Sequence, residues 1–268
     1  MAIQGAILGD IAGSFLEENR RKIVKELGEL DWSRYPFFED NSQFTDDTVT
    51  TLAIKKAILE ERPFKDVMLE VCREYPYCGW GHRFYEWIFK GPNNEDHSPY
   101  QSFGNGAAMR VSFIGEYYDD PKDVAEMARK SAIISHDHPE GIKGAVVTAM
   151  CVWMAKHGKS KQEIYDYMLS KYPQTDYRFS GKTMQELKGE YTRDITCQTS
   201  VPVALRCFYE SEDYHSFLVN VVSLDCDTDT IAAIGGGIAQ EYYGKTLDDA
   251  DKLIRMFLPD ELWAIYKR

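Results

Sequence analysis

Two short acidic segments carry the side chains best suited to metal chemistry. Asp225, Asp227 and Asp229 alternate with other residues just before a Gly- and Ala-rich run at 231–239, and residues 44–48 read Phe-Thr-Asp-Asp-Thr. Carboxylate and hydroxyl oxygens are hard ligands that suit Mg²⁺, Mn²⁺ or Ca²⁺. We therefore predict that the two acidic segments meet across one pocket.

Each acidic segment also has a simpler interpretation. Acids in the first turn of a helix interact favourably with the helix dipole, by about 0.3–1 kcal/mol each, and a run of acids is also compatible with a solvated loop. However, three acids within five residues repel one another unless cations or solvent offset their charge. The positive ends of two helices at such a pocket would oppose a cation and favour a phosphate group.

Two further segments suggest a binding site for an anion. Residues 102–110 read Ser-Phe-Gly-Asn-Gly-Ala-Ala-Met-Arg, a tight turn before a helix. Exposed backbone N–H groups in such a turn can bind an anion, although turns of this composition are common. His136 and His138 precede another helix start. No third zinc ligand at suitable spacing accompanies them, so ligand hydrogen bonding or helix capping is expected.

The composition excludes several functional classes. The chain has 31 Lys and Arg against 43 Asp and Glu, a net charge of -12, which argues against general nucleic-acid affinity or binding to an anionic membrane. An anionic ligand would need local donors. The 6 cysteines form no Cys-x-x-Cys pair, which indicates reduced thiols. We find neither a signal peptide nor an apolar run long enough to span a membrane, and we predict a cytoplasmic protein.

The elements that position these segments all have helical patterns. A helix is predicted at 3–18, where Gly5, Gly9 and Gly13 would let another backbone approach closely. Residues 19–43 read as a surface loop or lid, and a helix capped by Thr45 runs to a stop at Pro63. Further helices are predicted at 64–75, 80–89, 106–117, 121–135, 139–157, 160–171, 182–190, 200–210, 213–224, 229–243, 247–257 and 259–266. With no alternating strand pattern and no linker, the prediction is one all-α domain over 1–268.

The order of these motifs resembles the ADP-ribosylglycohydrolase family. The similarity runs through residues 5–14, 45–48, 104–110, 136–145 and 227–230, nearly the whole chain. It implies an orthogonal helical bundle with two divalent cations, Mg²⁺ or Mn²⁺. It also implies hydrolysis of the C1'' glycosidic bond between ADP-ribose and an acceptor, so that ADP-ribosylated substrates and ADP-ribose would be the ligands.

Carried over residue by residue, the resemblance assigns three sets of residues. The metal ligands would be Thr45, Asp46, Asp47, Asp227, Asp229 and Thr230. The substrate contacts would be Gly104, Asn105, Gly106, Ala107, Met109 and His136. Asp46 and Asp229 would also act in catalysis, together with Glu17 or its neighbour Glu18 as a gating acid. Asp10 would lie next to the metal ligands and orient them without binding the cations. Asp225 and Cys226 stand where many relatives have glycines.

Two alternatives to a glycohydrolase remain open from the sequence. A two-metal phosphohydrolase would use the same acids on a phosphoryl group and would release AMP. A non-catalytic relative would bind ADP-ribose without turnover. The acceptor also remains open among arginine, serine, a nucleic-acid base and a small molecule such as O-acetyl-ADP-ribose, and a monomer is the default oligomeric state.

Overall fold

The described part of the chain is entirely helical. The computed structural model describes residues 1–27, 32–89 and 97–268, without the side chains of 17, 18, 20–27 and 34. Within these residues there are fourteen α-helices and no strand, only an isolated antiparallel bridge between Gly104 and Thr196. The all-α prediction is confirmed.

The helices follow one another through short connections. In chain order they are α1 (Ala2–Leu27), α2 (Asp46–Leu59), α3 (Phe64–Arg73), α4 (His82–Phe89), α5 (Ser112–Tyr117), α6 (Pro121–Ala132), α7 (Pro139–Lys156), α8 (Lys161–Lys171), α9 (Met184–Glu190), α10 (Cys197–Tyr209), α11 (Tyr214–Val222), α12 (Thr228–Tyr243), α13 (Ala250–Phe257) and α14 (Asp260–Lys267). None of the described helices is both long and apolar enough to cross a membrane.

Helices α1 and α12 form the central pair of the fold. A Cβ atom added at Gly5 would lie 2.3 Å from the Gly236 carbonyl oxygen, and one added at Gly9 would lie 2.3 Å from that of Ala232. At Gly13 the added atom would lie 2.5 Å from the backbone of the first turn of α12. Glycines on successive turns of α1 therefore let the two backbones touch, as the small residues predicted.

The ends of α2 and α12 follow the sequence signals. Thr45 caps α2, and its side-chain oxygen accepts a hydrogen bond from the Asp47 amide at 3.3 Å. Helix α12 begins directly after Asp227 and ends at Gly244, whose φ of 68° is in the left-handed region that glycine adopts most readily. Both predicted acidic segments thus lie at helix N-termini.

Two predicted elements were wrong in their extent. Helix α1 continues to Leu27 instead of ending at 18, because residues 17–27 are rich in Glu, Arg and Lys and contain neither Gly nor Pro. Part of the predicted loop or lid at 19–43 is therefore helix, while residues 28–31 lie outside the described residues, as do residues 90–96. The helix predicted at 106–117 is a 3₁₀ turn at Asn105–Ala107 followed by α5.

Candidate active site and metal centre

Asp10 of α1 joins the first acidic segment to the central helix pair. Its side chain is fully buried, and it accepts hydrogen bonds from the Thr45 amide at 2.9 Å and the Thr45 hydroxyl at 2.7 Å. It also accepts from the amide of Thr48 at 3.1 Å and from the hydroxyl of the same residue. Burial raises the pKa of Asp10 to about 6, although these hydrogen bonds act in the opposite direction. The start of α2 is thereby fixed against α1.

Asp47 links the two acidic segments. Its Oδ2 accepts a hydrogen bond from the Thr230 hydroxyl at 3.2 Å, across the interface between α2 and α12. Its Oδ1 is buried and has no hydrogen-bond partner among the described residues. Burial raises the pKa of Asp47 well above its usual value, and the negative charges of Asp10, Asp46 and Asp227 raise it further. A cation beside Asp47 would relieve both the lost solvation and the repulsion.

Three buried carboxylates form a group that could hold a metal ion. One oxygen each from Asp10, Asp47 and Asp229 lies within 4.8 Å of the others. Because buried polar atoms rarely remain without a partner, the unpaired Oδ1 of Asp47 is suited to bind a cation at this group. Carboxylate oxygens are also the ligands that Mg²⁺ and Mn²⁺ prefer. The donor set therefore suits the divalent cations expected from the sequence.

Asp227 has different partners from this group. Although it is the residue before α12, its side chain makes no capping hydrogen bond. Its Oδ2 accepts from the Asn105 side-chain amide at 2.7 Å, and its Oδ1 accepts from Arg193 at 2.9 and 3.2 Å. Asp225, two residues earlier, is exposed.

A cleft of about 380 Å³ opens above the acids, a size typical of small-molecule sites. Nine of the residues predicted for the site line this cleft: Asp46, Gly104, Asn105, Gly106, Met109, His136, Asp227, Asp229 and Thr230. Thr45 and Asp47 are buried and do not line it, and neither does Ala107, which is 0 % exposed. Glu17 lies in α1, but its side chain, like that of Glu18, lies outside the described residues.

A histidine lies beside the glycine-rich turn in the cleft. The amide of Gly104 donates to the Ser102 hydroxyl at 3.2 Å and that of Asn105 donates to the Ile195 carbonyl at 2.9 Å, so neither amide is available to an anion in this arrangement. A Cβ at Gly106 would lie 3.2 Å from Nε2 of His136. Burial lowers the pKa of His136 well below its usual value, so the ring is neutral at neutral pH. It can offer a hydrogen bond to a ligand but no charge.

The second histidine of that motif has a structural role. The Nδ1 atom of His138 accepts a hydrogen bond from the Glu140 amide at 3.1 Å, which caps α7. The capping interpretation of His138 is confirmed. Its ring also contacts the half-exposed ring of Phe103 edge-on, with centroids 5.2 Å apart.

Three arginines line the cleft that sequence reasoning did not assign to the site: Arg83, Arg110 and Arg193. Arg110 is fully buried, where its Nη2 donates to the Ser131 carbonyl at 2.8 Å while its Nε has no partner among the described residues. Burial lowers the pKa of Arg110 only to about 10, so it keeps its charge at neutral pH. These side chains are the local donors that an anionic ligand of this acidic protein requires.

Comparison with known proteins gives the family. The sequence model described as ADP-ribosylglycohydrolase matches residues 1–247. The chain belongs to the ADP-ribosylglycohydrolase family. It is 27% identical over 306 residues to ADP-ribosylhydrolase ARH3 of Homo sapiens, covering 90% of this chain and 84% of that protein. It is 28% identical over 312 residues to the Gallus gallus protein of the same name, covering 91% and 84%.

A solved structure supports the fold of this ADP-ribosylglycohydrolase. The chain superposes on an "ADP-ribosylglycohydrolase-related protein complex" with a TM-score of 0.69 and 19% identity, covering 98% of this chain and 95% of that one. Family membership makes the protein a hydrolase of glycosidic bonds. The roles of its individual residues remain predictions.

Proposed function

We propose that this ADP-ribosylglycohydrolase releases ADP-ribose from an ADP-ribosylated acceptor by hydrolysing the C1'' glycosidic bond, with two divalent cations at the acidic end of the cleft. The observation that supports this most directly is the buried, unpaired Oδ1 of Asp47 beside the carboxylates of Asp10 and Asp229. The curated relatives in the comparison are named ADP-ribosylhydrolases, which agrees with this reaction.

The residues that would hold the cations come from both acidic segments. They are Thr45, Asp46, Asp47, Asp227, Asp229 and Thr230, with Asp10 added because its carboxylate lies in the same group. When bound, the cations supply Lewis-acid stabilisation of negative charge that develops on oxygen. Mg²⁺ is our first choice because all of these ligands are oxygens.

The chain's own residues would orient the substrate and handle the proton. Asp46 and Asp229 reach the cleft wall, where a carboxylate can accept a proton from an attacking water. The neutral ring of His136 would hydrogen-bond a ribose hydroxyl, and Arg83 and Arg110 would face the diphosphate. Glu17 remains the proposed gating acid, and the basis for this proposal is the sequence resemblance.

Charge in the cleft favours some acceptors over others. Two divalent cations would balance four of the five carboxylates in this ligand set, and the positive charges of Arg83, Arg110 and Arg193 line the rest of the cleft. An arginine acceptor would meet like charge there, whereas a serine or an acetyl ester would not. We therefore propose a neutral acceptor.

The test is product analysis on a panel of substrates. Arginine-linked and serine-linked ADP-ribose, an ADP-ribosylated base and O-acetyl-ADP-ribose are incubated with the protein, with Mg²⁺ or with EDTA, and the products are separated by chromatography. We expect ADP-ribose in the Mg²⁺ arm alone, and least from the arginine conjugate. AMP would indicate the phosphohydrolase alternative, and binding without turnover would indicate a non-catalytic relative.

Two substitutions test the acids directly. Asp46→Ala and Asp229→Ala should each lower turnover by more than about 100-fold while the protein stays folded. Asp66→Ala is the matched control, because Asp66 is an exposed acid in the first turn of α3 and is not among the residues that line the cleft. Unchanged turnover in both site variants would refute the metal assignment.

A further inference from the structure

The Arg193 side chain reaches into the candidate metal centre. It extends from the connection between α9 and α10, and is 50% exposed, whereas the side chain of Asp227 is 7% exposed. Its Nε and Nη2 both lie against the same oxygen of Asp227, Oδ1, at 3.2 and 2.9 Å. Because Asn105 donates to the other oxygen at 2.7 Å, both oxygens of this carboxylate already have donors.

The acids of the site therefore differ in the charges and hydrogen-bond donors around them. Asp47 has an unpaired buried oxygen, and the charges acting most strongly on it are those of other acids. Asp227 instead has a guanidinium group 2.9 Å away. The chain itself thus supplies a positive charge to Asp227, whereas the charges that act most strongly on Asp47 are negative.

We propose that Arg193 is a built-in counter-ion that competes with a divalent cation for Asp227, so that the two metal positions fill with unequal affinity. This inference rests on the metal centre of the proposed function. The lone pairs that accept two N–H groups are not available to a metal until the guanidinium moves away. The first ion would bind among Asp10, Asp47 and Asp229, and the second would bind at Asp227 in competition with Arg193.

The geometry sets the size of the effect. Since the guanidinium is half exposed, the ion pair is weak enough for a divalent cation to displace it, and the competition changes the affinity by several-fold rather than preventing binding. The displaced side chain would remain at the wall of the same cleft, which it already lines with Gly104. An anionic ligand would there be its alternative partner.

The experiment is a metal titration without nucleotide. The full chain is stripped with EDTA, dialysed, and titrated with Mn²⁺, and free Mn²⁺ is measured by electron paramagnetic resonance. In the wild type we expect two dissociation constants. Arg193→Gln should tighten the weaker one by about fivefold, the scale of a partly exposed ion pair. Arg193→Lys, which keeps the charge but loses the planar pair of donors, should lie between them.

Arg83→Gln is the matched control. It removes the same charge from the same cleft, but Arg83 donates to the Tyr100 carbonyl and lies over that ring at 4.7 Å. Among the described residues it pairs with no carboxylate. Its metal affinities should stay within about twofold of the wild type. Equal tightening in both glutamine variants would mean a general field effect and would overturn the proposal.

The remaining outcomes are also decisive. An unchanged or weaker second constant in Arg193→Gln overturns the competition while leaving the proposed hydrolase standing, since the wild type still binds metal. A wild type that binds no Mn²⁺ overturns both this inference and the metal centre. If the glutamine variant does not fold, the lysine variant decides, and the absence of any tightening in it contradicts the proposal.

Discussion

Gly9→Ala tests whether the contact between α1 and α12 positions the site. The new Cβ would lie 2.3 Å from the carbonyl oxygen and 2.5 Å from the carbonyl carbon of Ala232, and 3.0 Å from the Ala233 amide nitrogen. All three are backbone atoms of α12 and cannot turn aside. Ordinary contact begins at 3.4 Å, so the two helices must separate by about 1 Å.

The size of the effect follows from two opposing contributions. Overpacking costs about 1–3 kcal/mol, while Ala in place of Gly favours the helix by about 1 kcal/mol. We expect a net loss of up to about 2 kcal/mol, which corresponds to a melting temperature lowered by up to roughly 8 °C. Because Asp10 is the next residue, its carboxylate should also move away from that of Asp229, and Mg²⁺ affinity should fall.

Urea unfolding in EDTA and a metal titration measure the two consequences of Gly9→Ala. The matched control is Gly189→Ala, the same change in helix α9 at an exposed position where an added Cβ has nothing within 4 Å. That variant should gain up to about 1 kcal/mol and bind metal normally. If Gly9→Ala is as stable as the wild type and keeps its metal affinity, the close approach of α1 and α12 does not support the site.

Two further predictions concern charge. Asp47→Asn removes a buried charge surrounded by acids, so the metal-free variant should be at least as stable as the wild type in urea. Mg²⁺ at a hundred times its dissociation constant should raise the free energy of unfolding of the wild type by about 2.7 kcal/mol. The Asp47→Asn variant should not show this increase. The pKa of His136 is lowered in the folded state, so just below pH 6.5 the unfolded chain binds a proton at this ring and the folded protein does not. The contribution of His136 to stability is therefore lost as the pH falls below 6.5. Urea unfolding between pH 7 and 5 gives the change of the free energy of unfolding with pH. This slope should be smaller in His136→Asn than in the wild type by up to about 1.4 kcal/mol per pH unit. Equal slopes would contradict a neutral buried ring.

The helices were predictable because their signals are local. Thr45 as a cap, acids in the first turn of α2 and Gly244 at the end of α12 each act within a few residues. The extent of α1 was not predictable in the same way. Residues 19–27 have helix-forming side chains without a clear apolar face, and their composition suggested a loop.

The site was predictable only in part, for the same physical reason. The acids were recognised because several of them in a short segment are unusual. Arg193 lies in the connection before α10, a segment with no clear pattern, and Arg83 lies in the helix predicted at 80–89. The place of each in the cleft depends on how these segments pack against the rest of the chain. Arg110 stood at the end of a quoted motif, yet nothing in its sequence position shows that it is buried and charged beside a ligand site.

The pairing of α1 with α12 also affects the order in which the protein can fold during synthesis. The hydroxyl of Tyr214 in α11 bonds the Gly5 carbonyl across 209 residues of chain, and α12 is translated later still. At about 5–20 residues per second, the first helix leaves the ribosome roughly 10–40 s before its partner. During that time its glycine face remains without α12, and Asp10 has Thr45 and Thr48 beside it but not Asp229. The candidate site can therefore form only after α12 has been translated, and a ligand that binds it would select molecules whose translation has passed that helix.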